Sequence, residues 1–177
     1  MAVEIERAEI RMGEMIYRLF APNLIVVCVD ERKGNDCAGK FWQQYEKRSC
    51  PFQTIGDLFF QMEDLFDDWN FPQSSNRPRT FAEETGMEEA ELAGKRTTRI
   101  KRGKRADLSD LHDQKGKLAT FVIQVQYRQN SSWQGQVIWV EENRKEHFRS
   151  ALELMKLMDN ALEERMRQKE AAQSSVS

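Results

Sequence analysis

Cysteine is scarce. Three occur in 177 residues, Cys28, Cys37 and Cys50. Their number is odd and no C-x-x-C is present, which excludes a disulfide framework and suits reduced thiols in a cytoplasm. A structural zinc would lack a fourth ligand at these spacings, so no metal site is expected. Histidine is scarcer still: His112 and His147 both lie in polar stretches, and no Ser/His/Asp arrangement forms around either. Neither a phosphate-binding P-loop nor a G-x-G-x-x-G is present. No charged segment runs into a long apolar one at the start, so no secretory signal is expected. The longest apolar run covers residues 24–29, far short of the roughly 20 residues that span a bilayer. Lys and Arg total 27 against 29 Asp and Glu, a net charge of −2, so any electrostatic role must be local.

What remains is one ordinary domain or two very small ones. At 40% apolar the chain can bury a core, while a mean hydropathy of −0.73 points to long polar connections. Apolar residues at helical spacing predict an N-terminal helix over residues 3–20, ended by Pro22. Residues 23–30 are rich in β-branched side chains and read as a buried strand, with residues 38–45 as its return strand. Thr54 and Asp57 have capping-box spacing, and the apolar stripe from Ile55 to Trp69 predicts a helix with an acidic outer face. Alternation returns at residues 121–127, with a partner strand over 133–140, and Ser150 and Glu153 form a full capping box before a last helix. The expected organisation is a helix and first unit over residues 1–72, a charged, partly mobile excursion over 73–117, a second unit over 118–168, and a disordered tail over 169–177.

The two ordered parts align without a gap at an offset of 96 residues. Val29 falls on Val125, Arg32 on Arg128, Gly39 on Gly135, Phe52 on Phe148, Leu58 on Leu154 and Met62 on Met158. Each part reads as a hairpin followed by a helix, ββα, which is too small to bury its own apolar face. The expected fold class is therefore α+β: two ββα repeats share one antiparallel sheet with both helices packed on one side, plus the N-terminal helix.

The sequence predicts no catalytic residues and no cofactor. Its densest chemistry is the run Lys95, Arg96, Arg99, Lys101, Arg102, Lys104 and Arg105, seven cations in eleven residues. Such a run suits nucleic-acid phosphates. Asp64, Asp67 and Asp68 offer an acidic face to a basic partner protein. Trp133, expected to be exposed, is a candidate partner contact, and with the edge strands it makes a homodimer an expected option. No membrane partner is expected.

Two resemblances bear on function. Asn130-Ser131-Ser132-Trp133-Gln134-Gly135 resembles the N-x-S-x-x-G signature of PilZ domains, and Lys101 to Arg105 stands where their R-x-x-x-R would be, with Lys for the first Arg. That likeness implies cyclic di-GMP binding through Arg105 and Asn130 on a barrel. The stretch from Gln129 through Trp139 to Leu154 resembles short accessory proteins of Firmicutes mobile elements, a pool that includes anti-CRISPR proteins. This second likeness implies a mobile-element context; with the missing catalytic constellations and the basic run, the expected function is a cytoplasmic, non-enzymatic binding or inhibitor protein that acts on nucleic acid or on a nucleic-acid-handling protein, with an anti-CRISPR-type inhibitor of an RNA-guided nuclease as its sharpest version. The PilZ-like sensor is its alternative.

Overall fold

Six apolar side chains in a row begin the first strand, and all six are buried. A strand covered on both faces has no polar face to show, so its apolar run is continuous. In the computed structural model, which describes residue 21, residues 23–74, 111, 113–129 and 132–174, this strand is β1, Leu24–Lys33. Gly34 turns the chain with a φ of 63°, a conformation glycine takes without strain. Strands β2 (Asp36–Gln43) and β3 (Cys50–Phe52) follow, then helix α1 (Ile55–Asp68). The second half repeats the order with β4 (Ala119–Tyr127), β5 (Gln134–Trp139), β6 (Arg144–Phe148) and α2 (Ala151–Ser174).

The six strands of the described residues form one antiparallel sheet in the order β3-β2-β1-β4-β5-β6. Pairing in the first half recurs 96 residues later. Val27 faces Phe41 as Ile123 faces Val137, and Gly39 faces Phe52 as Gly135 faces Phe148. Even the irregularities match: β1 shifts register between Val29 and Glu31, β4 between Val125 and Tyr127. The halves meet where β1 pairs with β4. Val26 there faces Val122, its own counterpart at the offset, so a pseudo-twofold axis passes between them.

Each half is thus three strands and a helix, βββα, where two strands and a helix were expected. The third strands escape sequence patterning for physical reasons. β3 is three residues long and contains Pro51, and β6 is exposed and charged until Phe148. α2 also runs to Ser174, past the expected start of the disordered tail. Its last turns are built from strong helix formers, and Glu163 pairs with Arg167 one turn on. The expected N-terminal helix lies outside the described residues.

Both helices cover one face of the sheet. Leu58, Met62 and Phe66 of α1 and Leu154 and Met158 of α2 join Ile25, Val27, Phe121 and Ile123 in a single core. The opposite face carries Leu24, Val26, Val122 and Ile138, with Leu111 packed against them. The helix starts match as well. The Thr54 hydroxyl accepts the Asp57 N–H at 3.0 Å, and the Ser150 hydroxyl accepts the Glu153 N–H at 3.1 Å. Each acid then accepts a backbone N–H from the residue before its cap, Gln53 at 2.9 Å and Arg149 at 2.7 Å. Gly39 and Gly135 sit opposite the register shifts. A Cβ there would lie 2.1 Å from the Cys28 carbonyl oxygen and 2.0 Å from that of Gln124, so no larger residue fits without moving the backbone. Among the described residues no helix is long and apolar enough to cross a membrane.

Candidate binding surfaces

Arg128 follows β4, and its side chain is only 3% exposed. A guanidinium taken from water needs every contact it can make. Its Nη1 lies 2.7 Å from Asp67 Oδ1 and 2.9 Å from Glu63 Oε1, and its Nε donates to the Pro72 carbonyl at 2.7 Å. The charge also sits 5.6 Å from the centre of the Phe66 ring. The Trp133 indole N–H donates to the other oxygen of Glu63 at 2.6 Å.

The other half holds the counterpart. Arg32 Nη2 of β1 donates to Asp159 Oδ1 of α2 at 2.7 Å and lies 3.6 Å from Glu163 Oε1. Asp159 and Glu163 occupy in α2 the places of Glu63 and Asp67 in α1. Both arginines cross the pseudo-twofold axis: each leaves the first strand of its own half and meets the helix of the other. The halves are therefore tied by charge as well as by the β1–β4 seam. The carboxylates stay partly in water, so these contacts are weaker than fully buried ion pairs.

This crossing changes the meaning of the predicted acidic face. Asp64, Asp67 and Asp68 are all exposed on α1. Asp67 is nevertheless engaged with Arg128, which leaves Asp64 and Asp68 as the outward part of the face. Glu63 and the two arginines were not singled out as site residues. The signal available was the Arg32–Arg128 identity at the repeat offset, together with acids at matching helix positions.

Trp133 is buried, at 8% exposure, where an exposed residue was expected. Its ring packs against Phe59 at 5.3 Å and Phe66 at 5.5 Å between centroids. It shares the helix-covered core with Trp139, as a period of two requires of residues 133 and 139. Strand alternation places a side chain on a face but does not report whether a helix covers that face.

The basic residues Lys95, Arg96, Arg99, Lys101, Arg102, Lys104 and Arg105 lie outside the described residues. The chain leaves the described fold at Ser74, bridged to Arg128, and Leu111 is buried against the second face of the sheet. Arg105 and Asn130, the residues implied by the PilZ likeness, also lie outside. Among the described residues the sheet ends at β3 and β6, which are not paired with each other.

Burial decides the state of two thiols. It pushes Cys28 up to about 12, with Asp30 adding to the effect, and Cys37 up to about 11, with Asp36 adding. Both are therefore neutral thiols near pH 7 and poor nucleophiles. Cys50 is raised too, chiefly by burial. Among the described residues no group of three or more His, Cys, Asp or Glu is placed to hold a metal ion. No family model, curated protein or solved structure matches the chain.

Proposed function

We propose that this is a non-enzymatic, cytoplasmic binding protein that acts on nucleic acid or on a nucleic-acid-handling protein. The βββα pair is the scaffold, and the segment around residues 95–105 is the contact element. One observation carries the reading: seven cations fall within eleven residues of a chain whose net charge is −2. The scaffold's own arginines at positions 32 and 128 are committed to internal carboxylates, whereas the basic run has only Ile100 as a large apolar side chain. The sharpest version is an inhibitor of anti-CRISPR type, which meets an RNA-guided nuclease or the nucleic acid held in its channel. Asp64 and Asp68 would then face a basic protein surface. We also read the two halves as copies of one βββα unit, a reading supported by the shared register, shared caps and crossed arginines.

The test is a salt titration of binding to single-stranded and duplex nucleic acid, followed by fluorescence anisotropy. Each neutralised phosphate adds about 0.7–0.9 to the slope of log affinity against log salt. Replacing Arg99, Lys101, Arg102, Lys104 and Arg105 with Gln should flatten that slope and leave the melting temperature unchanged, because exposed charges contribute little to stability. Equal binding by the parent and the substituted protein across the titration sinks the reading. The exposed acidic face of α1 would then be the better contact surface.

A further inference from the structure

Both described helices lie on one face of the sheet, yet the other face is buried too. Leu24, Val26 and Cys28 of β1, Val122 of β4 and Ile138 of β5 are each 2% exposed or less. Thr120 and Gln136, which share that face by the period of two, are also buried. Burial to that degree across three adjacent strands requires a second layer. Among the described residues Leu111 is the only member of this apolar cluster that does not come from the strands or their ends. One leucine does not cover three strands.

We propose that residues 3–20 supply that layer as an amphipathic helix docked across β1, β4 and β5, on the face opposite α1 and α2. The sequence carries the matching surface. At helical spacing Ile5, Ala8, Met12, Met15, Ile16 and Leu19 fall on one stripe about 100° wide, and Glu6, Arg7, Glu14 and Arg18 fall on the opposite side. The length fits as well: residues 3–20 span about 27 Å as a helix, and the ten residues of β1 span about 33 Å. So does the point of attachment. Ala21 is buried, its carbonyl accepts from the Gln44 side chain, and the Asn23 side chain donates to the Val125 carbonyl. The chain is thus fixed to the sheet directly before Leu24, the first residue of the buried face. A segment tethered there meets that face at an effective concentration of about millimolar, which favours it over a second copy or a separate partner. Residues 75–110 offer acidic and basic blocks and no comparable apolar stripe. With both of its faces covered, the sheet leaves a macromolecular partner the outer helix faces, the strand edges and the basic run. The inference itself does not rest on that run.

The experiment is methyl NMR on the full chain, labelled at Met, Ile, Leu and Val. Met12 and Met15 are assigned by the loss of their resonances in Met12→Leu and Met15→Leu. The expected result is nuclear Overhauser contacts from both methionines to at least two of Leu24, Val26, Val122 and Ile138. Contacts only to the face beneath α1 and α2, or none to the sheet, overturn the proposal. So do contacts from Met87 in place of Met12 and Met15, which assign the cover to the middle of the chain. Contacts found only between differently labelled chains in a mixed sample overturn it too, and assign the cover to a second copy. A chemical readout comes from the thiols, in a Cys50→Ser background. Cys28 lies on the proposed docking face and Cys37 in the core beneath the helices. The Met12→Asp, Ile16→Asp double variant should speed modification of Cys28 by N-ethylmaleimide about tenfold or more and leave Cys37 protected. Glu14→Lys, on the far side of the stripe, should leave both rates unchanged. Unchanged Cys28 protection in the double variant overturns the proposal, as does an equal rise in Glu14→Lys. Should both thiols react together, the double variant has unfolded as a whole, and the methyl contacts of the parent decide. Neutralising residues 99–105 should leave those contacts intact, which separates this outcome from that of the salt titration.

Discussion

The half spanning Leu24–Asp68 and the half spanning Ala119–Ser174 share a backbone plan and differ in how they fill it. Three of the six identical pairs stand where geometry leaves little choice: the glycines opposite the register shifts, the phenylalanines that face them, and the arginines that cross the axis. In the first half Leu65 packs against the core, Trp69 stands edge-on to Tyr45, and α1 ends there as Asn70 takes a φ of 47°. The second half places Ala161 at that level, extends α2 to Ser174 and leaves a cleft. One backbone plan therefore carries two halves that end their helices differently.

The equivalence of the halves is easiest to break at the glycines. Gly135→Ala sets a Cβ 2.0 Å from a backbone oxygen and 2.9 Å from Phe148 Cζ, and Gly39→Ala meets a backbone oxygen at 2.1 Å. Each should destabilise by about 3 kcal/mol or more in urea unfolding, because backbone must move to make room. Tolerance at either glycine would show that the matched registers are not equally constrained.

The arginines come next and should separate the halves. Arg128 is the more buried, contacts both acids within 2.9 Å, and holds the Pro72 carbonyl. Arg32 has one close acid and one at 3.6 Å. Arg128→Ala should cost about 2–3 kcal/mol and Arg32→Ala about 1–2, both below the values for fully buried pairs because the acids are half in water. An Arg128–Asp67 double-mutant cycle should show coupling across the axis.

The caps give the smallest effect and the closest match. Thr54→Ala and Ser150→Ala should each cost about 1 kcal/mol. The paired acids add a pH dependence. The Gln53 N–H and then the Gln61 side chain hold Asp57 below its usual range, and the Arg149 side chain and then its N–H do the same for Glu153. A carboxylate with a depressed folded pKa contributes stability above the ordinary value of about 4, and loses it as pH falls through the folded value. The Asp57→Asn, Glu153→Gln double variant should therefore be less stable than the parent at neutral pH. It should converge with the parent in strong acid, as measured by urea unfolding at each pH.

Much of this architecture was legible in the sequence because it rests on periodicity. The run of apolar residues from Leu24, the alternation from Phe121 to Tyr127, and the Thr54 and Ser150 boxes each report local structure. The constant offset carried the rest, since a matched helix at each end of a shared sheet follows from it. Three features were not legible. β3 and β6 are held by an edge partner and not by their own pattern. The burial of Trp133 depends on Phe59 and Phe66, which come from the other half. The cleft beside α2 is lined from β4, β5, β6 and α2, residues that only the fold brings together.

That the two halves stand as one cooperative scaffold is most directly tested by native-state amide hydrogen exchange across β1, β2, β4 and β5. The shared core and crossed arginines lead to one outcome: protected amides in all four strands converge on a single free energy of opening as denaturant rises, equal to that of global unfolding. Separate plateaus, with β1 and β2 opening while β4 and β5 remain protected, would contradict it.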